Sequence, residues 1–388
     1  MPVLTMAAHA LLSPSASHRW LNCTAAPRLE AQEPDSSSSY AEEGTLAHAM
    51  CARTLKLYLG QSTASEAREI RELSGEYYAA EMDEHVETYR ALVLGKLSDA
   101  RAHTKDARLL VERRLDFGSY IPDAFGTADA IIIADGMMEV IDFKYGKGVR
   151  VEAERNPQMM IYALGAYDEF SLEYDIRRVR MTIVQPRLEN ISEYETSVYE
   201  LTAWAENTLR PKAREAYEGK GKQKPGDWCR FCKVRGKCKA LAQDCLKTAE
   251  TFSDPKLIGP EMMAREVLPR IASIKSWLTD VEDYALGQAL SGVGYEGYKV
   301  VEGRSNRKIT DVNGAVEALT SEFDPEIIMK PRELKTITDL ERVIGKKRFT
   351  ELCSPYITKP RGKPTLVPES DKRPPYNSVD EDFKDIEL

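Results

Sequence analysis

The stretch that most constrains this chain is GTADAIIIADGMMEVIDFKYGKG, residues 126–148. It reads as two β-strands joined at the turn pair Asp135–Gly136. Asp129 sits in the first apolar run and Asp142 in the second, and Lys144 follows two residues later. Along a strand, side chains two apart share a face. Asp142 and Lys144 therefore lie on one side, with Ile141, Phe143 and Tyr145 on the other. If the two runs form a hairpin, the carboxylates of Asp129 and Asp142 come within a few ångströms of each other.

Two close, unpaired carboxylates repel, and burying either is costly. A hard divalent cation such as Mg²⁺ or Mn²⁺ would resolve the conflict, because it favours carboxylate oxygens. A lysine beside such a centre can orient or deprotonate water and stabilise developing phosphate charge. The combination suits phosphodiester hydrolysis. The commoner meaning of an Asp-x-Lys tripeptide is a buried ion pair or a polar strand edge, and the tripeptide alone does not decide between them.

The surroundings of the hairpin are consistent with a globular α/β protein. RLLVERRLDF (108–117) precedes it as a third strand. NPQMMIYALGAYDEF (156–170) follows as a helix with Asn156 as N-cap and Pro157 in its first position, and VRMTIVQPR (179–187) as a further strand. AEEGTLAHAMCARTLKLYL (41–59) and YYAAEMDEHVETYRALVLGKL (77–97) have the spacing of amphipathic helices. Residues 1–40 are loop-rich and end in the serine run of EPDSSSSY, which reads as an exposed connection. Residues 201–247 read as a helix followed by a cysteine-rich loop. Residues 266–292 predict a long helix, followed by a short β-like piece at 295–309 and more helices. The segment after Lys359 is rich in proline and charge and is expected to pack poorly.

With 388 residues, 42% hydrophobic and 30% charged, the chain has length for two or three domains. No run approaches the roughly 20 apolar residues of a membrane span, and no basic region precedes the mildly apolar start, so a soluble, cytoplasmic protein is expected. A net charge of −8 argues against a protein coated in nucleic acid, yet Lys220–Lys239 holds eight Lys or Arg against one acid, Asp227. Trp228 and Phe231 lie within that basic run and suit base stacking, although a solvated basic loop reads the same way.

Four short patterns occur in order: Gly44-Thr45-Leu46-Ala47-His48, Gly126-Thr127-Ala128-Asp129, Asp142-Phe143-Lys144, and Gln158-Met159-Met160-Ile161-Tyr162. This order resembles the RecB-like branch of the PD-(D/E)XK nucleases over about residues 41–190. The resemblance implies a restriction-endonuclease-like core, a mixed sheet flanked by helices. It further implies that His48, Asp129, Asp142 and the backbone carbonyl of Phe143 hold Mg²⁺ or Mn²⁺. Lys144 would be the catalytic lysine, with Gln158 and Tyr162 contacting the DNA backbone or ordering the site. Glu112, the remaining acid in an apolar strand, is expected to support the ligands from behind rather than to touch metal.

Of seven cysteines, Cys229, Cys232 and Cys238 form C-x₂-C-x₅-C. Such crowding suits a metal in a reducing compartment, and a fourth thiolate is required for tetrahedral zinc or a cubane cluster. Spacing leaves two candidates, the local Cys245 and the distant Cys23. RecB-like nucleases with an iron–sulfur staple, among them AddB-type and CRISPR-associated exonucleases, place one cysteine before the nuclease motifs and three after. Resemblance to them implies Cys23 with Cys229, Cys232 and Cys238, holding a [4Fe-4S] cluster, with Zn²⁺ as the alternative. Cys51 and Cys353 read as buried structural residues.

The whole chain, including SPSASHRWLNC and GKPTLVPESDKRP, also resembles a phage and prophage family defined by a domain of unknown function. The expectation is thus a RecB-like nuclease domain at 1–247 with its ends closed by the cysteines, a mainly helical accessory domain at 248–358 and a tail at 359–388. The implied activity is a DNA exonuclease acting on single-stranded or duplex ends in phage recombination or replication, beside a single-strand annealing protein, in the host cytoplasm. A non-catalytic iron–sulfur DNA-binding scaffold and a partner-dependent defence nuclease are the alternatives, and homo-oligomerisation is left open.

Overall fold

The computed structural model describes residues 10–34, 39–250, 259–304, 307–330, 333–360, 362, 364–368 and 373–376. The chain divides into two compact units, Met1–Ile274 and Lys275–Leu388.

The first unit is built on a five-stranded sheet of order β1-β2-β3-β4-β5, comprising β1 (Arg108–Asp116), β2 (Phe125–Ala134), β3 (Gly136–Phe143), β4 (Ile176–Gln185) and β5 (Asn190–Ser197). β1, β2 and β3 form an antiparallel meander in which Ala130 pairs with Ile141. Next, β4 pairs parallel to β3, Asp142 opposite Ile183, and β5 returns antiparallel. Parallel neighbours need a crossover, and α6 (Pro157–Phe170) supplies it. Its start is fixed as the sequence predicts: the Asn156 side chain accepts from the N–H groups of Gln158 and Met159.

Each face of the sheet has its own core. On one face, α3 (Ser39–Tyr58) and α5 (Glu81–His103) bury Leu46, Leu55, Tyr89 and Val93 against Ile132, Ile141, Phe143 and Val184. Between them α4 (Ala64–Tyr77) begins with a capping box of Thr63 and Glu66. On the opposite face α6 buries Ile161, Leu164 and Phe170 against Ile131, Val140 and Met181, joined by Leu201 of α7 (Val198–Trp204) and Ala213 of α8 (Arg210–Tyr217). The expected division of the second hairpin strand holds. Ile141, Phe143 and Tyr145 belong to the α3–α5 core, away from Asp142.

Three differences from the sequence reading have physical causes. Within the N-terminal stretch, residues 10–34 are not simply an exposed loop. Residues 10–31 form short turns and the helices α1 (Ser17–Trp20) and α2 (Ala26–Glu30), and Trp20 is buried against the α6 side with its indole N–H donating to the Ser13 carbonyl at 3.0 Å. A single large aromatic anchors a segment whose periodicity is too short to read. The serine run 35–38 lies outside the described residues. β5 is an element to which the sequence reading assigns nothing, because NISEYETS has little apolar alternation. As an edge strand it is held mainly by its ladder to β4. After the cysteines the chain forms α9 (Lys239–Glu250) rather than remaining a loop.

The second unit has helices at Val312–Thr320, Ile337–Ile344 and Lys346–Cys353 around a small core of Leu319, Ile328, Leu340, Phe349 and Cys353. The partition at Ile274 places α9 with the first unit, later than the expected division at 247. One described piece of the tail does pack: Pro364–Pro368 pairs antiparallel with Tyr298–Glu302. Its two prolines stand at the strand ends, where a missing N–H costs little. Residues 361, 363, 369–372 and 377–388 of the tail lie outside the described residues. No described helix is long and apolar enough to cross a membrane.

Gly165 lets α6 lie close to the end of β1. A Cβ there would stand 2.5 Å from the Phe117 ring and 3.1 Å from the Asp116 carbonyl. Gly165→Ala should destabilise the protein by about 1–3 kcal/mol through overpacking, despite the gain of up to about 1 kcal/mol from alanine's helix propensity. The urea midpoint measures it, and a raised midpoint would contradict this packing.

Candidate functional site

The residues singled out by the hairpin meet at one end of the sheet, where β3 runs out beside the first turn of α6. Asp129 of β2 lies 3.4 Å from Nδ1 of His48, which α3 carries in from the other side of the chain. Its second oxygen accepts the backbone N–H of Phe143 at 2.7 Å. Lys144 Nζ is 3.0 Å from Asp142 Oδ2 and donates to Gln158 Oε1 at 3.1 Å. The Gln158 amide in turn donates to Asp142 Oδ1 at 3.1 Å. Lys144 keeps its backbone in register by donating to Val184 at 2.8 Å.

These groups differ in exposure. Asp142 is only 4% exposed, whereas the side chains of Lys144 and His48 retain 26% and 35%. The site therefore opens to solvent past His48 and Lys144, with Asp142 as its floor. Burial raises the Asp142 carboxyl above the ordinary carboxylate range, against the pull of Lys144 and with the added push of Asp129. Burial would raise Asp129 as well, but His48, the Phe143 N–H and Lys144 outweigh it and hold its carboxyl low. His48 responds in the opposite sense: burial alone would lower it, and Asp129 raises it overall. The two acids thus hold their protons with unequal strength, a division typical of sites that do chemistry.

Tyr162 lies behind the site. It is buried, its ring against Phe117, and burial together with Asp142 and Asp129 raises its phenol so that it stays protonated. Glu112 stands across β2 from Asp129, between the pairs Val111–Ala130 and Arg113–Ala128. Its φ is +51°, a left-handed conformation rare for a glutamate in a strand. Burial and the Asp129 charge push its carboxyl to about 7.

As they stand, the acids are satisfied by the protein. Among the described residues, no group of three or more His, Cys, Asp or Glu side chains is arranged to hold a metal ion. One atom is the exception to this satisfaction. Asp142 Oδ2 is buried and faces Lys144 without a well-aligned hydrogen bond. That orphaned oxygen and the hard oxygen and imidazole donors around it suit a divalent cation. His48, Asp129 and Asp142, expected from the sequence to hold a cation with the Phe143 carbonyl, come together here, but their donors are engaged with one another, with the Phe143 N–H and with Lys144 rather than arranged around an ion.

The cysteines form a separate centre. Cys23, Cys229, Cys232 and Cys238 line one cavity of about 20 Å³, together with Leu29, Val234 and Leu241. Cys245 is buried on α9 and does not line it. The Lys224 N–H donates to Cys23 Sγ at 3.4 Å and the Gln223 amide to Cys238 Sγ at 3.7 Å. Burial, with Cys23 and Cys238 nearby, raises the Cys229 thiol, and burial pushes the Cys232 thiol to about 12. Such thiols remain protonated unless a cation draws off the proton, as thiolate-binding metals do. Contacts between distant parts of the chain brace this loop: Arg19 donates to the Phe231 carbonyl at 3.1 Å, the Lys233 N–H to Glu30 at 2.9 Å, and the Lys222 N–H to Thr24 at 3.3 Å. Phe231 is 68% exposed on the basic run.

Several residues in these networks escape the sequence reading. Glu139, buried on the α5 face, accepts from Thr182 at 2.6 Å and pairs with Lys96 at 2.7 Å. Arg187, just after β4, pairs with Glu43 and Glu81. Neither network has a local spacing that could reveal it. A positive charge closing an apolar strand, as in the QPR of residues 185–187, is the only sequence cue.

The chain belongs to the family described as protein of unknown function (DUF2800), whose model matches residues 9–374. It is also similar to a solved structure titled "Crystal structure of SSO0001", at 16% identity over 58% of this chain and 96% of that one, with a TM-score of 0.24. A similarity that low carries no argument about fold or activity.

Removing the Lys144 amine would leave Asp142 buried without its counter-charge. Lys144→Ala should therefore destabilise the protein by roughly 3–5 kcal/mol near pH 8. The folded Asp142 carboxyl lies above its unfolded value, so the folded state binds more protons between the two, and stability rises as pH falls. Urea midpoints at pH 8 and pH 5.5 should show the deficit shrinking at the lower pH. An equal deficit at both would mean that Asp142 does not carry the buried charge.

Proposed function

We propose that this protein is a metal-dependent deoxyribonuclease of the RecB-like PD-(D/E)XK class, an exonuclease that processes DNA ends in phage recombination or replication. The observation that carries the reading is the gathering of His48, Asp129, Asp142, Lys144 and Gln158 at one sheet end from α3, β2, β3 and α6. Those residues lie within the four sequence patterns, the first of which is separated from the other three by a long stretch of chain. The five-stranded mixed sheet with a crossover helix between β3 and β4 is compatible with that class.

In this reading His48, Asp129, Asp142 and the Phe143 carbonyl hold Mg²⁺ or Mn²⁺, which when bound supplies Lewis-acid stabilisation of a phosphodiester's developing charge. Lys144 sits at the open side of the site, placed to orient a water and to steady negative charge on the phosphate. Gln158 fixes Lys144 and Asp142 relative to each other, because its one amide contacts both. Tyr162 stays neutral and packs the floor. Glu112, across from Asp129, supports it without contacting metal. The Lys220–Lys239 run, with exposed Phe231, would follow a DNA backbone, since cationic grooves with aromatic platforms suit single strands.

The cysteine centre serves structure in this proposal. Cys23, Cys229, Cys232 and Cys238 would hold a [4Fe-4S] cluster, or zinc, and tie the first helices to the end of the nuclease unit. Closing so long a loop restricts the unfolded chain.

Wild-type protein should degrade end-labelled linear DNA in Mg²⁺ or Mn²⁺, and Asp142→Ala should fall to background while keeping its circular dichroism. Single strands, duplexes and circles compared side by side distinguish exonuclease from endonuclease. Equal cleavage by Asp142→Ala would remove the site assignment, and folded wild-type protein without cleavage would favour the DNA-binding scaffold. Anaerobically purified protein should be brown, with broad absorption near about 400 nm and matching iron and sulfide. Cys23→Ser should lose the colour and destabilise the unit, whereas Cys245→Ser should do neither. Zinc without iron in the wild type would replace the cluster with a zinc site.

A further inference from the structure

Arg187 lies outside all four sequence patterns, on the short turn Pro186–Leu188 that follows β4. Its guanidinium donates to both oxygens of Glu43, each at 3.1 Å, and pairs with Glu81 at 3.0 Å. It also stacks 4.6 Å over the ring of Tyr145. The side chain is only 11% exposed. Glu43 lies on α3 five residues before His48, Glu81 begins α5, and Tyr145 follows Lys144 directly. One cation therefore touches the helix that carries His48, a second helix behind it, and the segment that carries Asp142 and Lys144.

A buried ion pair of this kind is a weak source of net stability, because desolvating the charges offsets most of their attraction. Its strength is geometric. Nη1 of the planar guanidinium reaches both oxygens of Glu43 while Nη2 pairs with Glu81, so one rigid fork fixes two carboxylates relative to each other in a way that a lysine's single nitrogen cannot. The ring contacts carry that placement to the site. Tyr145 stacks on Phe143 at 6.0 Å, and Phe143 meets the His48 ring edge-on at 5.3 Å. Across the sheet end, His48 must reach Asp129 at 3.4 Å from a different element. Helix α3 packs on the sheet through apolar side chains such as Leu46 and Leu55, and the Arg187–Glu43 contact adds a directional one five residues from His48.

We propose that Arg187 is a positioning residue: by bridging Glu43, Glu81 and Tyr145 it sets the register of α3 against the end of β3, and so places His48 on Asp129. The proposal rests on the nuclease reading for its functional meaning, but its structural content does not.

The test compares Arg187→Gln, Arg187→Lys and Glu43→Gln with wild type. The chain has five histidines, so the His48 ring signals can be assigned by NMR in metal-free protein with His48→Ala as the reference. Arg187→Gln should shift those signals, Arg187→Lys should shift them less, and far-UV circular dichroism should stay unchanged. Mn²⁺ affinity by calorimetry should fall about tenfold in Arg187→Gln, the size expected when a partner behind a ligand is lost. The double variant with His48→Ala should bind no more weakly than His48→Ala alone, because Arg187 acts through His48. Unmoved His48 signals in Arg187→Gln, or additive losses in the double variant, would overturn the proposal. If Arg187→Gln fails to fold, Arg187→Lys and Glu43→Gln decide by the same two readouts. If wild-type protein binds no Mn²⁺, the nuclease reading falls and the His48 signals alone judge Arg187.

Discussion

Two carboxylates held at the buried end of a sheet must each find a counter-charge, and where those counter-charges come from determines how the first unit is assembled. Asp129 finds His48 and the Phe143 N–H, and Asp142 finds Lys144 and Gln158. The partners belong to α3, β3 and α6, elements on both faces of the sheet. The polar site can therefore form only when both hydrophobic cores have closed. The cores contribute the larger free energy, since apolar burial is the dominant favourable term in folding. The carboxylates contribute selectivity, because a misplaced helix would leave a charge buried and unpaired.

Local pattern revealed much of this. The β2–β3 hairpin, the Asn156 cap and the crossover helix all follow from period-two and period-3.6 spacing near turn residues. The side assignment of Ile141, Phe143 and Tyr145 follows as well, because a strand has only two faces. Asp142 and Lys144 could be paired from spacing alone, and the ion pair that spacing allowed is present at 3.0 Å. What escaped notice is non-local. Trp20 is one aromatic in a segment with no repeat. Lys96 meets Glu139 across 43 residues and Arg187 meets Glu43 across 144, so no window of sequence contains either pair. β5 is specified by the edge it completes rather than by its own composition.

The same contrast separates the two centres. The carboxylate site draws its residues from within the sheet and the helices that cover it, so its geometry is inherited from ordinary secondary structure. The cysteine centre sits among short turns, Asp227–Phe231 and Arg235–Lys237, whose backbone groups are only partly satisfied locally. Contacts with Arg19, Thr24 and Glu30 of the N-terminal helices make up part of the difference. A side-chain carbon at Gly221 would overlap the Thr24 backbone, so the two segments pass at a separation that only glycine permits.

That crossing has a consequence for synthesis on the ribosome. Translation proceeds from the N-terminus, and Cys23 emerges while the three cysteines that line a cavity with it are still untranslated, some two hundred residues further along the chain. Helices α1 and α2 must wait, with Trp20 and the Cys23 thiol uncovered, until the sheet, α6 and the loop at 220–238 have left the exit tunnel. These two helices are thus among the last elements of the first unit to find their place. A chain interrupted after β5 but before Cys238 would retain its hairpin and its carboxylates, yet would leave α1 and α2 without the loop contacts that brace them.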